Sequence, residues 1–363
     1  MKRLVKVIIN KKLLKEYLGE NEEISKSLSR FIDNSIEARK MITTYKNPCE
    51  VSININEDSI SIVDNSGGIN SNITDEDIFK IGNDNGENIS GLGIKKSFFT
   101  LANKIEITSN RKEFSRKLTL DINSQSEELM SQSETIKYNS YEVDGTKIYI
   151  SDLNRNIKKR INETLFNRET HNQLGRIYSK FIDKKELVLY LNGEKLEAKN
   201  IEAKKINSCK LLDKYTINLY KGKKNFSSGG SGARKKKDCS YGVDLYINDY
   251  MIYDGERSKE KVKWNLLNEH NYSFRDCIVE ITYHGDKSKF YKEENILFEQ
   301  VINFIKQNKS YFASKNVIIQ YEVPIDKVEE LKEYCGEDTA KAVGKRAFNK
   351  LYQDYKDSTM SNK

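Results

Sequence analysis

The stretch from Ile60 to Lys96 constrains this chain more than any other. Ile60-Ser-Ile-Val-Asp64 alternates apolar and polar residues and ends on a carboxylate. Asn65-Ser66-Gly67-Gly68-Ile69 follows as a tight turn, and a polar, glycine-dotted run then leads to Gly91-Leu92-Gly93-Ile94-Lys95-Lys96 at the head of an apolar segment. Alternation at period two describes a half-buried strand, and a strand that stops on a carboxylate presents it at the end of a sheet. Glycines opening a helix let its unpaired N–H groups close around an anion, where the helix also carries partial positive charge. With two lysines behind them, the expected anion is a polyphosphate. The stretch then reads as a nucleotide site, with Asp64 on the base side and Gly91 to Lys95 on the phosphate side.

Upstream, residues 21–42 predict an amphipathic helix. Ile24, Leu28, Phe31, Ile32 and Ile36 fall on one face, while Ser27, Arg30, Asn34 and Glu37 share another and point together at whatever that flank meets. Two alternating strands, 50–56 and 59–64, form a hairpin through Glu57-Asp58. Residues 65–90, sparse in apolar positions, read as a loop able to fold over a ligand. A helix at 93–101 and strands at 104–109 and 114–120 come next. A polar excursion over 122–137 leads to a turn at Asp144-Gly145-Thr146 and a strand to Leu153. Helical signals cover 157–183, and a hairpin turns through Asn192-Gly193.

These elements predict a first domain over residues 1–200, including a short strand or arm at 2–10. A second is expected over 201–325, with strands at 209–220, 242–247, 251–253, 277–283 and 316–322 and a helix at 294–307. Within it, residues 221–238 are basic and of low complexity, which predicts a flexible loop. Two helices, 327–335 and 339–355, form a C-terminal segment over 326–363.

Composition removes several alternatives. Only three histidines occur, all outside the glycine-rich stretch, so histidine-driven nucleophilic catalysis has little to work with. The five cysteines are scattered and none forms Cys-x-x-Cys, which argues against disulfides and a structural zinc. No apolar run spans a bilayer and no signal-peptide pattern opens the chain, so the expectation is a cytoplasmic protein with no membrane partner. The net charge of +8 is compatible with a nucleic-acid partner, and the 221–238 loop is where non-specific phosphate contacts are expected.

In this order, the pieces resemble the GHKL superfamily of gyrase, Hsp90, histidine-kinase and MutL ATPases, especially its MORC-like and Hsp90-like members. Leu28-Ser-Arg-Phe-Ile-Asp33-Asn34-Ser35-Ile36-Glu37-Ala38 looks like the helix whose asparagine coordinates Mg²⁺. Asp64-Asn-Ser-Gly-Gly68-Ile69 looks like the adenine-reading turn, Gly91-Leu92-Gly93-Ile94-Lys95 like the phosphate-facing box, and Gly145-Thr146 like the pair that supports the adenine aspartate. The resemblance implies an α+β chain: a Bergerat-type α/β sandwich that binds ATP and Mg²⁺, a transducer-like α/β domain, and C-terminal helices. It also implies a nucleotide-dependent homodimer that closes a lid, reorients its domains and acts on a macromolecular client. The basic 221–238 loop makes DNA the expected client, and a role in bacterial genome or antiphage defence is a family-level expectation.

Two departures stand out. Ser66 replaces a glycine of the adenine turn. Arg30 stands where hydrolysing relatives carry the glutamate that activates water, and an arginine cannot take that proton. Arg30 could instead pair with the γ-phosphate, which gives the alternative of a non-hydrolysing, ATP-binding regulatory module. Glu37 and Glu23 are the substitute carboxylates for catalysis. Lys287 and Lys289, after the 277–283 strand, are candidates for a second-domain contact to the terminal phosphate.

Overall fold

A computed structural model describes residues 15, 17, 19, 22–42, 47–79, 92–123, 131–222, 241–267, 274, 276–312, 330 and 332–333. The chain divides into two units, 1–312 and 313–363. In the second, the described residues Glu330, Lys332 and Glu333 are helical. The expected arm at 2–10, the 80–91 part of the loop with Gly91, and residues 223–240 of the basic loop lie outside the described residues. So do the 316–322 strand and nearly all of the C-terminal helices.

The larger unit holds two sheets, each with its own buried core. The first sheet has eight strands in the order β5-β4-β3-β6-β2-β1-β7-β8. These are β1 Cys49–Ile55, β2 Ser59–Asp64, β3 Ala102–Asn110, β4 Arg116–Asp121, β5 Ser131–Thr135, β6 Gly145–Leu153, β7 Leu187–Leu191 and β8 Glu194–Lys195. β1 and β7 run parallel and every other pairing is antiparallel. In β1, Cys49, Val51, Ile53 and Ile55 are buried while Glu50 and Asn54 are exposed, so one face of the sheet meets water and the other meets helices. Helix α1 (Ile24–Lys40) lies on the covered face with Leu28, Phe31, Ile32 and Ile36 fully or nearly fully buried, as its periodicity predicts. After the short α2 (Asp75–Phe79), α3 (Leu92–Leu101) adds Phe98, Phe99 and Leu101 to the same core.

Three further helices, α4 (Arg155–Ile161), α5 (Phe166–Ile177) and α6 (Ser179–Asp183), lead back into β7. The second sheet has the order β12-β11-β13-β10-β9, with β9 Lys204–Leu211, β10 Tyr215–Lys221, β11 Gly242–Ile247, β12 Tyr250–Glu256 and β13 Cys277–Tyr283. After the short α7 (Lys259–Val262), the long α8 (Lys287–Gln307) covers this sheet through Phe290, Leu297, Phe298, Val301, Ile302 and Ile305.

Every residue of β11 is buried, which alternation explains. Val243, Leu245 and Ile247 enter the core under α8, and Asp244 and Tyr246 face the first sheet's helices. There Arg176, Lys180 and Lys184, spaced four apart, meet two acids of the second sheet and one in its β11–β12 turn. Arg176 Nη2 lies 2.7 Å from Asp244, Lys180 2.8 Å from Glu280, and Lys184 2.6 Å from Asp249.

Four expectations are corrected by these elements. The segment 209–220 is a hairpin of β9 and β10, because the chain turns at Leu212-Asp213, both with positive φ. The 294–307 helix begins at Lys287, capped by Asp286, whose side chain accepts from Ser288 N at 2.8 Å. The 122–137 excursion contains β5, an edge strand with all five residues exposed that is held by pairing with β4. The 65–90 loop contains α2. Among the described residues no helix is long and apolar enough to cross a membrane.

Candidate functional site

β2 delivers Asp64 to the sheet end, and the chain turns there on Gly67 and Gly68, whose φ values of 89° and 71° favour glycine. Gly145 has no room for a side chain, because an added Cβ would sit 1.9 Å from the Asp64 carbonyl oxygen. Ser66, the departure from the glycine pattern, is not among the positive-φ residues, so its side chain is accommodated and used. Its Oγ donates to Asp64 Oδ1 at 2.6 Å and its N–H to the same oxygen at 2.9 Å. Thr146 N donates to Oδ1 at 3.0 Å, and Ser35 Oγ of α1 donates to Oδ2 at 2.7 Å. Four donors therefore fix a buried carboxylate, and Oδ2 keeps room for another donor from the cavity side. Thr146 meets Asp64 through its backbone.

That cavity has a volume of about 740 Å³ and lies between α1, α3 and the strands. Asn34, Asp64, Ile69, Gly93, Ile94, Lys95 and Thr146 all line it, together with Arg30, Asp33, Ser35 and Glu37. Gly68 is buried in the adjoining turn, Gly91 and the side chain of Leu92 lie outside the described residues, and Ile69 N donates to Ser109 Oγ at 2.8 Å. Asn72, Ile73, Asp77 and Ile78 form a further part of its wall. Buried Arg116 of β4 pins that wall through the carbonyls of Asn70 and Ile73 and the carboxylate of Asp75.

Lys95, in the first turn of α3, is 7% exposed. Among the described residues it has no hydrogen bond or ion pair, and burial pushes its ammonium below the usual lysine range. A desolvated cation in a cavity wall, paired with none of the acids that line the cavity, is costly unless an anion arrives. Asn34 is exposed and likewise has no partner among the described residues. There, no group of three His, Cys, Asp or Glu side chains is placed to hold a metal.

Arg30 is held by Glu22, with Nη1 2.6 Å from Oε2 and Nη2 2.9 Å from Oε1, and Nη1 also donates to Ser97 Oγ at 3.1 Å. Sequence reasoning missed Glu22, because the turn that brings it back to the helix carries no local signal. Of the substitute carboxylates, Glu37 lines the cavity, whereas Glu23 is exposed and accepts from Gln173 at 3.1 Å. Lys287 and Lys289 are exposed in the first turn of α8 and do not line the cavity, though the Lys287 charge reaches Asp33.

Asp33 is a second residue that sequence reasoning missed. Burial pushes its carboxyl up to about 6, against the pull of the Tyr178 hydroxyl. That hydroxyl lies 2.7 Å from both Ser29 O and Asp33 Oδ1, and its single proton can go to either acceptor. The folded value exceeds the unfolded 3.8, so Asp33's contribution is complete below about pH 4 and lost as pH rises through 6. Between pH 4 and 7 the wild type is expected to lose roughly 2–3 kcal/mol that Asp33→Asn retains. Denaturant melts of both proteins at several pH values check this, and parallel stability curves would refute it.

Compared with known proteins, residues 23–158 match the family described as histidine kinase-, DNA gyrase B- and HSP90-like ATPase. No curated protein matches by sequence. Similar solved structures include the ATPase and transducer domains of DNA topoisomerase II from Balamuthia mandrillaris. That similarity has 12% identity and a TM-score of 0.46, covering 80% of this chain and 85% of that one. The match makes residues 23–158, which include every residue lining the cavity, similar to a GHKL-type ATPase domain.

Proposed function

We propose that the chain binds ATP in this cavity and uses the bound nucleotide to change how its two sheets are held. Asp64 accepts the exocyclic amine of adenine beside Gly68, Ile69 and Thr146. Lys95 and the start of α3, with Gly91, Leu92, Gly93 and Ile94, take the phosphates. Mg²⁺ suits an oxygen-rich site that a single protein ligand and phosphate oxygens can complete, and the Asn34 amide, without a partner among the described residues, is that ligand. The metal would neutralise phosphate charge. The observation that carries the reading is Lys95, a buried cation in the cavity wall with no acid beside it among the described residues.

Lys95→Met should weaken ATP at least about tenfold and leave adenosine nearly unchanged, since a charge-assisted hydrogen bond is worth about 1.5–3 kcal/mol. Calorimetric titration checks this, and unchanged ATP affinity would overturn the assignment.

On the MORC-like and Hsp90-like reading, nucleotide closes a lid, a homodimer forms, and the client is DNA engaged through the basic 221–238 stretch. Its support is the motif order and the composition of that stretch. The second reading, a regulatory module that binds ATP without hydrolysing it, is favoured by Arg30 in its pairing with Glu22. Radiolabelled ATP turnover separates the two: equal background rates for wild type and Asn34→Ala favour the regulatory module.

A further inference from the structure

Arg30 lines the cavity against the start of α3, where the proposed function puts the phosphates. It precedes Ser35, the residue that touches Asp64, by five positions on α1, about 7.5 Å along the axis, with Asn34 between them. Its chain crosses the first turn of α3, where a Cβ added to Gly93 would meet Arg30 Cδ at 3.3 Å, and it bonds Ser97 one turn further on. Lys95 sits between those two residues in sequence and lines the same cavity.

Glu22 grips the guanidinium fork with both carboxylate oxygens, the two-point geometry an arginine offers to a carboxylate or a phosphate alike. Its side chain is 6% exposed, and besides Arg30 it takes Lys26 at 3.0 Å and the Ser27 hydroxyl at 3.3 Å. Burial opposes its charge, yet Arg30 and Lys26 together hold its carboxyl below the usual range. Glu22 would keep those two partners if Arg30 turned away, so exchange does not strand it.

We propose that Glu22 is an internal stand-in for the terminal phosphate of the nucleotide: a triphosphate takes the Arg30 fork from Glu22, and a diphosphate does not reach it. Arg30 is then a specificity residue that reads whether the third phosphate is present, and Glu22 sets the threshold. This rests on the ATP reading of the cavity.

The test is calorimetry of the full chain with ATP and ADP, each with Mg²⁺, on wild type, Arg30→Met and Glu22→Gln. Wild type should prefer ATP by about tenfold or more, the size of one charge-assisted hydrogen bond. Arg30→Met, which keeps the packing against Gly93, should bind the two nucleotides equally, and Glu22→Gln should tighten ATP while leaving ADP unchanged. The double variant Glu22→Gln/Arg30→Met removes both members of the pair and should match Arg30→Met in its affinities for the two nucleotides. Equal ATP and ADP affinities in wild type, or a preference that survives Arg30→Met, would overturn the selector and leave the nucleotide site standing. Failure of wild type to bind either nucleotide would overturn both.

Discussion

Replacing Asp64 by asparagine is expected to weaken ATP binding at least a hundredfold while the protein stays folded, as expected for a buried partner group reversed in sign. The asparagine carbonyl can still accept from Ser66 N, Ser66 Oγ and Thr146 N, the three donors now on Oδ1. Its amide then occupies the Oδ2 position. Ser35 Oγ already lies 3.1 Å from Phe31 O, so its proton can turn to that carbonyl and its oxygen can accept from the new amide. The local network survives. The adenine amine, however, now meets a donor, whereas the guanine carbonyl would be accommodated. ATP and GTP titrations with a thermal melt decide this: loss of ATP affinity, a relative gain for GTP and a melting temperature within a few degrees of wild type are expected. Unchanged ATP affinity would remove Asp64 from the base contact.

The largest expected loss of stability comes from Arg176→Met. Arg176 Nε lies 2.6 Å from Asp254 and Nη2 lies 2.7 Å from Asp244, whose side chain is fully buried. Methionine keeps much of the packing but leaves Asp244, among the described residues, with Gly255 N at 2.8 Å in place of a cation. Breaking a buried pair from one side typically costs about 3–5 kcal/mol, because the remaining charge stays desolvated. Lys184→Met, whose side chain is 44% exposed, should cost less than about 1 kcal/mol. Adding Asp244→Asn to Arg176→Met should recover part of the loss. Chemical denaturation of the single and double variants measures this, and a cost under about 1 kcal/mol for Arg176→Met would mean the contact does not fasten the second sheet to α5.

The strands nearest the site were legible because each buries one face and so alternates, as in Ile60-Ser-Ile-Val-Asp64. The β9–β10 hairpin was not, because its turn uses Leu212 and Asp213 in left-handed backbone without a glycine to mark it. β5 was illegible for the opposite reason: Ser131–Thr135 has no apolar residue to alternate. Asp286 did offer a cap signal, but the apolar spacing of α8 becomes regular only after Phe290.

At the candidate site, glycine turns and a strand-end carboxylate are local patterns that single out Asn34, Asp64, Gly93, Lys95 and Thr146, and the fold brings these five to one cavity. Glu22 and Tyr178 were not readable. Tyr178 reaches Asp33 across 145 positions of chain, and only packing brings them together.

The central claim is that one cavity binds an adenine nucleotide, and isothermal titration of the full chain with ATP and Mg²⁺, beside GTP, addresses it most directly. One ATP per chain, with GTP much weaker, is the predicted result. No heat with ATP at millimolar concentration, or equal affinity for GTP, would contradict it.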